Sequence, residues 1–146
     1  MSQQVILLVE DNETDEELTL LALKKNKIGN PVVVARDGAE ALDYLFARGA
    51  HAGRDARDLP QVVLLDLNLP KLSGIEVLRA VRADERTKVL PVVILTSSKE
   101  DSDLVSGYAS GANSYIVKPV DFNQFAEAVR QLGLYWLVLN QSPPTL

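Results

Sequence analysis

The stretch VVLLDLNLP, residues 62–70, indicates the fold of the whole chain. An apolar run with no polar alternation is typical of a strand that is covered on both faces of its sheet. Here the run ends directly on the carboxyl group of Asp66. A buried strand that ends on a carboxylate predicts a polar site at the edge of a sheet, where ligands bind in open α/β folds.

Similar apolar runs occur four more times, and patterns typical of helices lie between them. The predicted strands are residues 5–9, 31–35, 62–65, 92–95 and 114–117. The predicted helices are residues 15–25, 39–46, a stretch after Gly74, residues 98–109 and a stretch after Asp121. Five buried strands alternating with five helices predict an α/β fold with a parallel sheet and helices on both faces. The length predicts a single domain over residues 1–146, with an inserted loop at 48–59.

Composition and charge argue against several classes of function. The chain has 146 residues, no cysteine and a net charge of −5. Disulfides and thiolate metal sites are therefore excluded, and we expect no direct nucleic-acid partner bound through its phosphates. The N-terminus lacks the basic start of a signal peptide. No apolar run approaches the ~18 residues of a membrane span, so we expect a cytoplasmic protein with no membrane partner.

Polar side chains follow the predicted strands at their carboxyl ends, which share one edge of a parallel sheet. Glu10 and Asp11 follow the first strand, Asp66 the third, Thr96 the fourth and Lys118 the fifth. Carboxylates at close range repel one another unless a cation joins them, and a site made of oxygen ligands suits Mg²⁺. A carboxylate can also attack a phosphoryl group and form an acyl phosphate. We therefore predict a magnesium and phosphoryl site at this edge, with Asp66 as the nucleophile.

Four stretches resemble the signatures of the response regulator receiver domain, in the order and spacing of that family. They are VILLVEDN, VVLLDLNLPKLSG, VVILTSS and SYIVKP. The resemblance implies a flavodoxin-like, doubly wound sheet of five parallel strands in the order 2-1-3-4-5. It also implies a receiver core at about 5–132, followed by a C-terminal helix extension and tail at 133–146.

The resemblance implies roles for the acidic residues of the predicted site. Asp66 is then the phosphoacceptor. It ligates Mg²⁺ together with Asp11, with Glu10 through a water molecule, and with the backbone carbonyl of Asn68. Glu10 stands where aspartate is usual in the family, and its longer side chain is expected to change where that water lies.

The resemblance also implies the residues that bind the phosphoryl group and respond to it. Lys118 pairs with a phosphoryl oxygen, while Thr96 binds the phosphoryl group and changes rotamer on activation. Tyr115 corresponds to the aromatic switch residue that turns inward. The Lys118–Pro119 peptide bond is expected to be cis, which proline allows at a small free-energy cost.

A narrower resemblance links the chain to small stand-alone response regulators that partner bacterial and cyanobacterial phytochromes. The inserted loop at 48–59 and the ending FAEAVRQLGLYWLVLNQSPP carry it. It implies a single-domain response regulator of a two-component phosphorelay. Its phosphoryl donor would be a sensor histidine kinase, with a bacterial phytochrome as the candidate. Its output face would comprise the helix predicted at 98–109, the fifth strand and the last helix. Such a protein is not a conventional enzyme, although it catalyses its own aspartyl phosphorylation and dephosphorylation.

The segment 132–139 predicts a second buried surface. All of its residues except Gly133 are apolar, and the core of one domain covers only one face of a helix. Aromatic residues are also enriched at protein interfaces. We predict a homodimer through this segment and the neighbouring output face. The predicted interface residues are Leu134, Tyr135, Trp136 and Leu137. The alternative is that the extension folds back over its own domain.

Two other functions fit parts of the site. A metal-dependent phosphatase with an aspartate nucleophile needs a second aspartate two residues later, where this chain has Asn68. A degenerate receiver that acts as a phosphorylation-independent scaffold usually lacks an acidic residue or the lysine, and all of these are present. Outside the site, the arginine-rich loop at 48–59 is predicted to be a solvated lid, and His51 within it to be exposed without a partner.

Overall fold

Strands and helices alternate along the chain. The computed structural model describes residues 5–25, 30–67, 69–97 and 111–131. The elements are β1 Ile6–Val9, α1 Glu13–Lys25, β2 Val32–Ala35, α2 Gly38–Phe46, a short 3₁₀ helix at Gly49–His51, β3 Val62–Asp66, α3 Gly74–Ala83, β4 Val92–Thr96, β5 Ser114–Val117 and α4 Phe122–Gln131. The helix predicted at 98–109 and the extension after residue 131 lie outside the described residues. Among the helices within those ranges, none is long and apolar enough to cross a membrane.

The five strands form one parallel sheet in the order β2-β1-β3-β4-β5, which confirms the fold predicted from the sequence. β1 lies between β2 and β3, with Ile6 opposite both Val32 and Val62. β3 and β4 each extend one residue further than predicted. Asp66 pairs with Leu95, and Thr96 pairs with Val117. These two polar residues therefore belong to the ends of the strands themselves, which fixes their backbones in the sheet.

Successive strand residues supply two separate apolar cores, one on each face of the sheet. Leu7 belongs to the core that also contains Ala41 of α2 and Val77 of α3. Leu8, the next residue along β1, belongs to the core that contains Leu23 of α1 and Phe125 of α4. Both cores exclude water from the strands. This explains why β1, β3 and β4 are continuous apolar runs without alternation.

Short polar residues fix the starts of two helices near the sheet edge. Asp37 caps α2 by accepting a hydrogen bond of 2.8 Å from the backbone N–H of Glu40. Ser73 caps α3 in a reciprocal arrangement with Glu76, in which each side chain accepts from the backbone N–H of the other residue. Such caps stabilise a helix by about 1 kcal/mol each, so they determine where α2 and α3 begin.

Most residues of the segment 48–59 are exposed, as predicted for a solvated lid, but His51 and Arg54 pack on Tyr44 of α2. His51 is half-buried, with its ring edge-on to Tyr44 and Nε2 at 3.5 Å from Oε2 of Glu40. The guanidinium of Arg54 lies 3.7 Å from the centroid of the Tyr44 ring. It also donates hydrogen bonds to the backbone carbonyls of Tyr44 and Asp58. The expectation that His51 is exposed without a partner was wrong, because the Tyr44 ring contacts this side chain and the pattern of residues gave no sign of that contact.

Candidate functional site

The predicted polar residues meet at the carboxyl edge of the sheet because of the strand register. Glu10 directly follows β1, Asp66 ends β3, Thr96 ends β4, and Lys118 directly follows β5. The Lys118 backbone N–H donates a hydrogen bond of 2.7 Å to the Thr96 carbonyl, which continues the pairing of β4 with β5. The sheet therefore fixes the backbone positions of these four residues at one edge. Their side chains can then meet above that edge.

Lys118 is the centre of the charge arrangement. Its Nζ lies 2.8 Å from Oε1 of Glu10, 2.9 Å from Oδ2 of Asp15 and 3.0 Å from Oδ2 of Asp66. Burial alone would lower the pKa of Lys118, but its three carboxylate partners raise that pKa well above its usual range. The lysine is therefore held as an ammonium cation directly beside Asp66.

Glu10 is completely buried, and its burial disfavours the ionised form of its carboxyl group. Burial, together with the hydrogen bond and charge of Asp66, raises its pKa from the usual 4.5 to about 7, even though Lys118 acts in the opposite direction. Its Oε1 lies close to the Lys118 ammonium, yet it has no hydrogen bond of acceptable geometry among the described residues. Unsatisfied buried oxygens are rare in native proteins. This one indicates a place for a further positive partner.

The acidic residues can supply that partner's ligands. Oxygen atoms of Glu10, Asp11 and Asp66 all lie within 4.8 Å of one another. A hard divalent cation takes carboxylate oxygens as ligands, and Mg²⁺ keeps several waters besides one or two carboxylates. The donor set contains no histidine or cysteine, and it includes Glu10, whose Oε1 has no hydrogen bond among the described residues. The residues present therefore fit Mg²⁺ or a cation of similar chemistry.

The remaining predicted site residues fall into two groups. Thr96 is buried, Tyr115 is half-buried on β5 opposite Ile94, and the Lys118–Pro119 peptide bond is cis. Asn68 and the predicted interface residues lie outside the described residues. Those interface residues are Leu134, Tyr135, Trp136 and Leu137.

A glycine at the start of α3 supports the backbone of Asp66. A Cβ atom at Gly74 would lie 2.4 Å from the Asp66 carbonyl oxygen and 2.7 Å from Cα of Leu67. The Gly74 backbone N–H donates a hydrogen bond of 3.1 Å to the Leu67 carbonyl. Only a residue without a side chain allows this approach, so Gly74 holds the helix start against the strand end that carries Asp66.

Above these groups lies an open cavity of about 320 Å³ that includes three residues the sequence-based prediction missed. Asp11, Asp66 and Lys118 line it, together with Asn12, Asp15 and Ser97. Asp15 is the most informative of the missed residues because it pairs with Lys118. The sequence analysis placed it only as the first residue of a predicted helix, a position where negative side chains are common. Its position one turn after Glu10–Asp11 was the signal that could have identified it.

The chain matches a known family over most of its length. Residues 6–130 match the response regulator receiver domain family. The probable methanogenesis regulatory protein FilR2 of Methanothrix harundinacea is 42% identical over 139 residues, covering 95% of this chain and 87% of FilR2. Response regulator Rcp1 of Synechocystis is 34% identical over 134 residues, covering 92% of this chain and 89% of Rcp1.

Solved structures of similar proteins match nearly the whole chain. The bacteriophytochrome response regulator AtBRR is 53% identical with a TM-score of 0.86, covering 97% of this chain and all of the AtBRR chain. The phosphorylated cyanobacterial phytochrome response regulator RcpA is 36% identical with a TM-score of 0.75, covering 99% and 100% of the two chains. The Mn²⁺-bound form of Rcp1 is 31% identical with a TM-score of 0.73, covering 98% and 99%. The sheet order, the site at its carboxyl edge and these matches together show that the chain belongs to the response regulator receiver domain family.

Proposed function

We propose that this receiver accepts a phosphoryl group on Asp66 and so acts as a single-domain response regulator of a two-component phosphorelay. The observation that supports the proposal best is the setting of Asp66. Its carboxyl group is buried at a strand end, 3.0 Å from the Lys118 ammonium and within the acidic cluster. A carboxylate held between a cation and a cation site is suited to attack phosphorus and form an acyl phosphate.

Each charged residue has a distinct part in the proposed transfer. Glu10, Asp11 and Asp66 would hold Mg²⁺, with the carbonyl of Asn68 as a further proposed ligand. When bound, that ion supplies charge neutralisation for phosphoryl oxygens. Lys118 is a compact cation with three N–H groups, and it binds a second oxygen of the transferring group. Asp66 provides the attacking oxygen, and the donor keeps the electrons of the broken P–O or P–N bond. Catalysis here is positioning and electrostatic stabilisation rather than conventional enzyme chemistry.

Phosphorylation is proposed to reach the surface through Thr96 and Tyr115. A phosphoryl group adds negative charge and strong hydrogen-bond acceptors, and the buried Thr96 hydroxyl is a candidate donor to it. Tyr115 lies one strand away, on β5. A change of rotamer at Thr96 would then bias the position of Tyr115 between two states. The output face is proposed to comprise β5, α4 and the helix predicted at 98–109.

The proposed phosphoryl donor is a sensor histidine kinase, and a bacterial phytochrome is the candidate that the similarities favour. AtBRR and RcpA are both named as phytochrome response regulators. The similarity to AtBRR, at 53% identity over the whole of that chain, is stronger than the 42% identity to FilR2. A cytoplasmic location suits such a donor. Phosphotransfer from a purified phytochrome kinase, compared in rate with a histidine kinase of another pathway, tests this part of the proposal.

A homodimer through the extension at 133–146 and the output face remains a proposal as well. It is supported by the apolar residues of that extension, including Leu134, Tyr135, Trp136 and Leu137. Light scattering at tens of micromolar, with and without phosphorylation, is expected to give the dimer mass. The monomer mass under both conditions would contradict the proposal.

The phosphorylation proposal is tested by intact-protein mass spectrometry. After incubation with acetyl phosphate and Mg²⁺, we expect a mass increase of one phosphoryl group. The increase should disappear in Asp66→Asn and in the presence of EDTA. It should persist in Asp58→Asn, which makes the same change at an exposed position. No increase under conditions that label a known receiver, together with no binding of the phosphoryl mimic beryllofluoride, would support the phosphorylation-independent scaffold instead.

A further inference from the structure

Three carboxylate oxygens surround the ammonium group of Lys118. They belong to Glu10, Asp15 and Asp66, and each lies within 3.0 Å of Nζ. An ammonium group has only three N–H bonds, and it accepts no hydrogen bond. Asp15 and Asp66 accept hydrogen bonds from two of these N–H groups, and Oε1 of Glu10 lies 2.8 Å from Nζ as an ion pair. A phosphoryl oxygen that binds Lys118 therefore competes with these three oxygens for the ammonium group.

Asp15 is the partner that can leave at the lowest cost. The side chain of Glu10 is completely buried and that of Asp66 is 5% exposed, whereas the side chain of Asp15 is 34% exposed. A carboxylate that turns into solvent is hydrated by water, which replaces the lost ion pair. A buried carboxylate that loses its cation has no such replacement. Asp15 also lies outside the group formed by Glu10, Asp11 and Asp66. A cation bound to that group would therefore not hold the Asp15 carboxylate in place as a ligand.

The backbone of Asp15 is anchored independently of Lys118. Its backbone N–H donates a hydrogen bond of 2.9 Å to Oδ1 of Asn12, in the first turn of α1. The side chain can therefore turn away from Lys118 without any change in the helix. It lines the open cavity above Asp66, so a phosphoryl donor entering that cavity approaches it directly.

We propose that Asp15 occupies one donor of Lys118 in the unphosphorylated chain and is displaced from it by a phosphoryl oxygen. The inference rests on the proposed function and adds a positioning residue to it. Asp15 competes with the phosphoryl group for one cation, and it therefore favours the unphosphorylated state. Partly exposed ion pairs contribute modestly to free energies. We accordingly expect removal of the Asp15 charge to strengthen binding of a phosphoryl mimic by about threefold.

The test measures binding of beryllofluoride to the full chain at saturating Mg²⁺, by calorimetry or fluorine magnetic resonance. The variants are the unmodified chain, Asp15→Asn and Glu13→Gln. Glu13→Gln removes one negative charge from the same helix turn, and its side chain is exposed. We expect tighter binding in Asp15→Asn only. Equal or weaker binding in Asp15→Asn, or an equal gain in both variants, would overturn the inference.

A crystal structure of the unmodified chain with Mg²⁺ and beryllofluoride provides the geometric test. We expect the Asp15 carboxylate to lie beyond hydrogen-bond distance from Nζ of Lys118, with a fluorine atom in its former place. A retained contact of about 3 Å between Asp15 and Lys118 would overturn the exchange. Failure of the proposed function is distinguishable, because then the unmodified chain would neither bind beryllofluoride nor gain mass with acetyl phosphate.

Discussion

The buried carboxyl group of Glu10 makes the metal-free protein less stable at high pH, and Glu10→Gln should remove that effect. The pKa of Glu10 is about 7 in the folded chain against the usual 4.5, chiefly because of its burial. Between these two values the folded chain binds more protons than the unfolded chain. Stability therefore falls as pH rises through this range. The protonated carboxyl group fits the buried site, and its contribution is lost once pH exceeds about 7.

The magnitude follows from the difference between the two pKa values. Each pKa unit corresponds to about 1.4 kcal/mol, so ionisation of Glu10 costs up to about 3 kcal/mol at pH 8.5. Glutamine has nearly the shape of the protonated carboxyl group and carries no charge. We expect Glu10→Gln to unfold with a free energy about 2–3 kcal/mol higher than the unmodified chain at pH 8.5. At pH 4.5 the two should agree within about 0.5 kcal/mol.

Urea unfolding in EDTA at pH 4.5, 6.5 and 8.5 measures these free energies. Glu17→Gln serves as the matched control, because Glu17 is exposed on α1. We expect this control to follow the unmodified chain at every pH. Saturating Mg²⁺ at pH 8.5 should stabilise the unmodified chain more than Glu10→Gln, since one proposed ligand is missing from the variant. The reasoning is refuted if the difference between Glu10→Gln and the unmodified chain does not change with pH.

Three other substitutions test how the fold supports the site. Phe125→Ala removes a fully buried ring of the core beneath α1 and α4. It should lower the unfolding free energy measured in urea by about 3–5 kcal/mol. A loss below about 1 kcal/mol would contradict the burial of this ring. Gly74→Ala places a Cβ atom against the Asp66 carbonyl. We expect a loss of more than about 2 kcal/mol and slower labelling by acetyl phosphate, whereas Gly53→Ala, with open space around it, should change neither. Arg82 donates hydrogen bonds to the Leu90 and Gly111 carbonyls and to the Asn113 side chain; Arg82→Met should therefore lower the melting temperature through a loss of about 2 kcal/mol, and an unchanged melting temperature would show that these bonds contribute nothing.

The fold could be predicted from the sequence because buried parallel strands leave an unusually clear pattern. β1, β3 and β4 are covered on both faces, so each is a continuous apolar run ended by a polar residue. Strand bounds differed from the prediction by one residue where a polar side chain still pairs in the sheet, as at Asp66 and Thr96. Hydrophobicity alone cannot show that a carboxylate continues a strand, because that depends on the neighbouring strand.

The site could be predicted in part for the same reason. Asp66 ends a strand, and Glu10 and Lys118 directly follow strands, so sheet geometry brings these residues together whatever their function. Asp15 was missed because it lies on a helix, and its contact with Lys118 depends on where α1 packs. His51 was expected to be exposed because sequence spacing does not show which way its loop folds. Both contacts depend on how elements pack against one another, which composition and periodicity do not show.

The most direct test of the central proposal is to locate the phosphoryl group itself. The chain is treated with acetyl phosphate and Mg²⁺, reduced with borohydride, digested and sequenced by tandem mass spectrometry. Borohydride reduces an aspartyl phosphate to homoserine and leaves a free aspartate unchanged. We expect homoserine at position 66, and at no other aspartate of the acidic cluster. Homoserine at Asp11 or Asp15, or an unchanged Asp66 in protein that has gained a phosphoryl mass, would contradict the account.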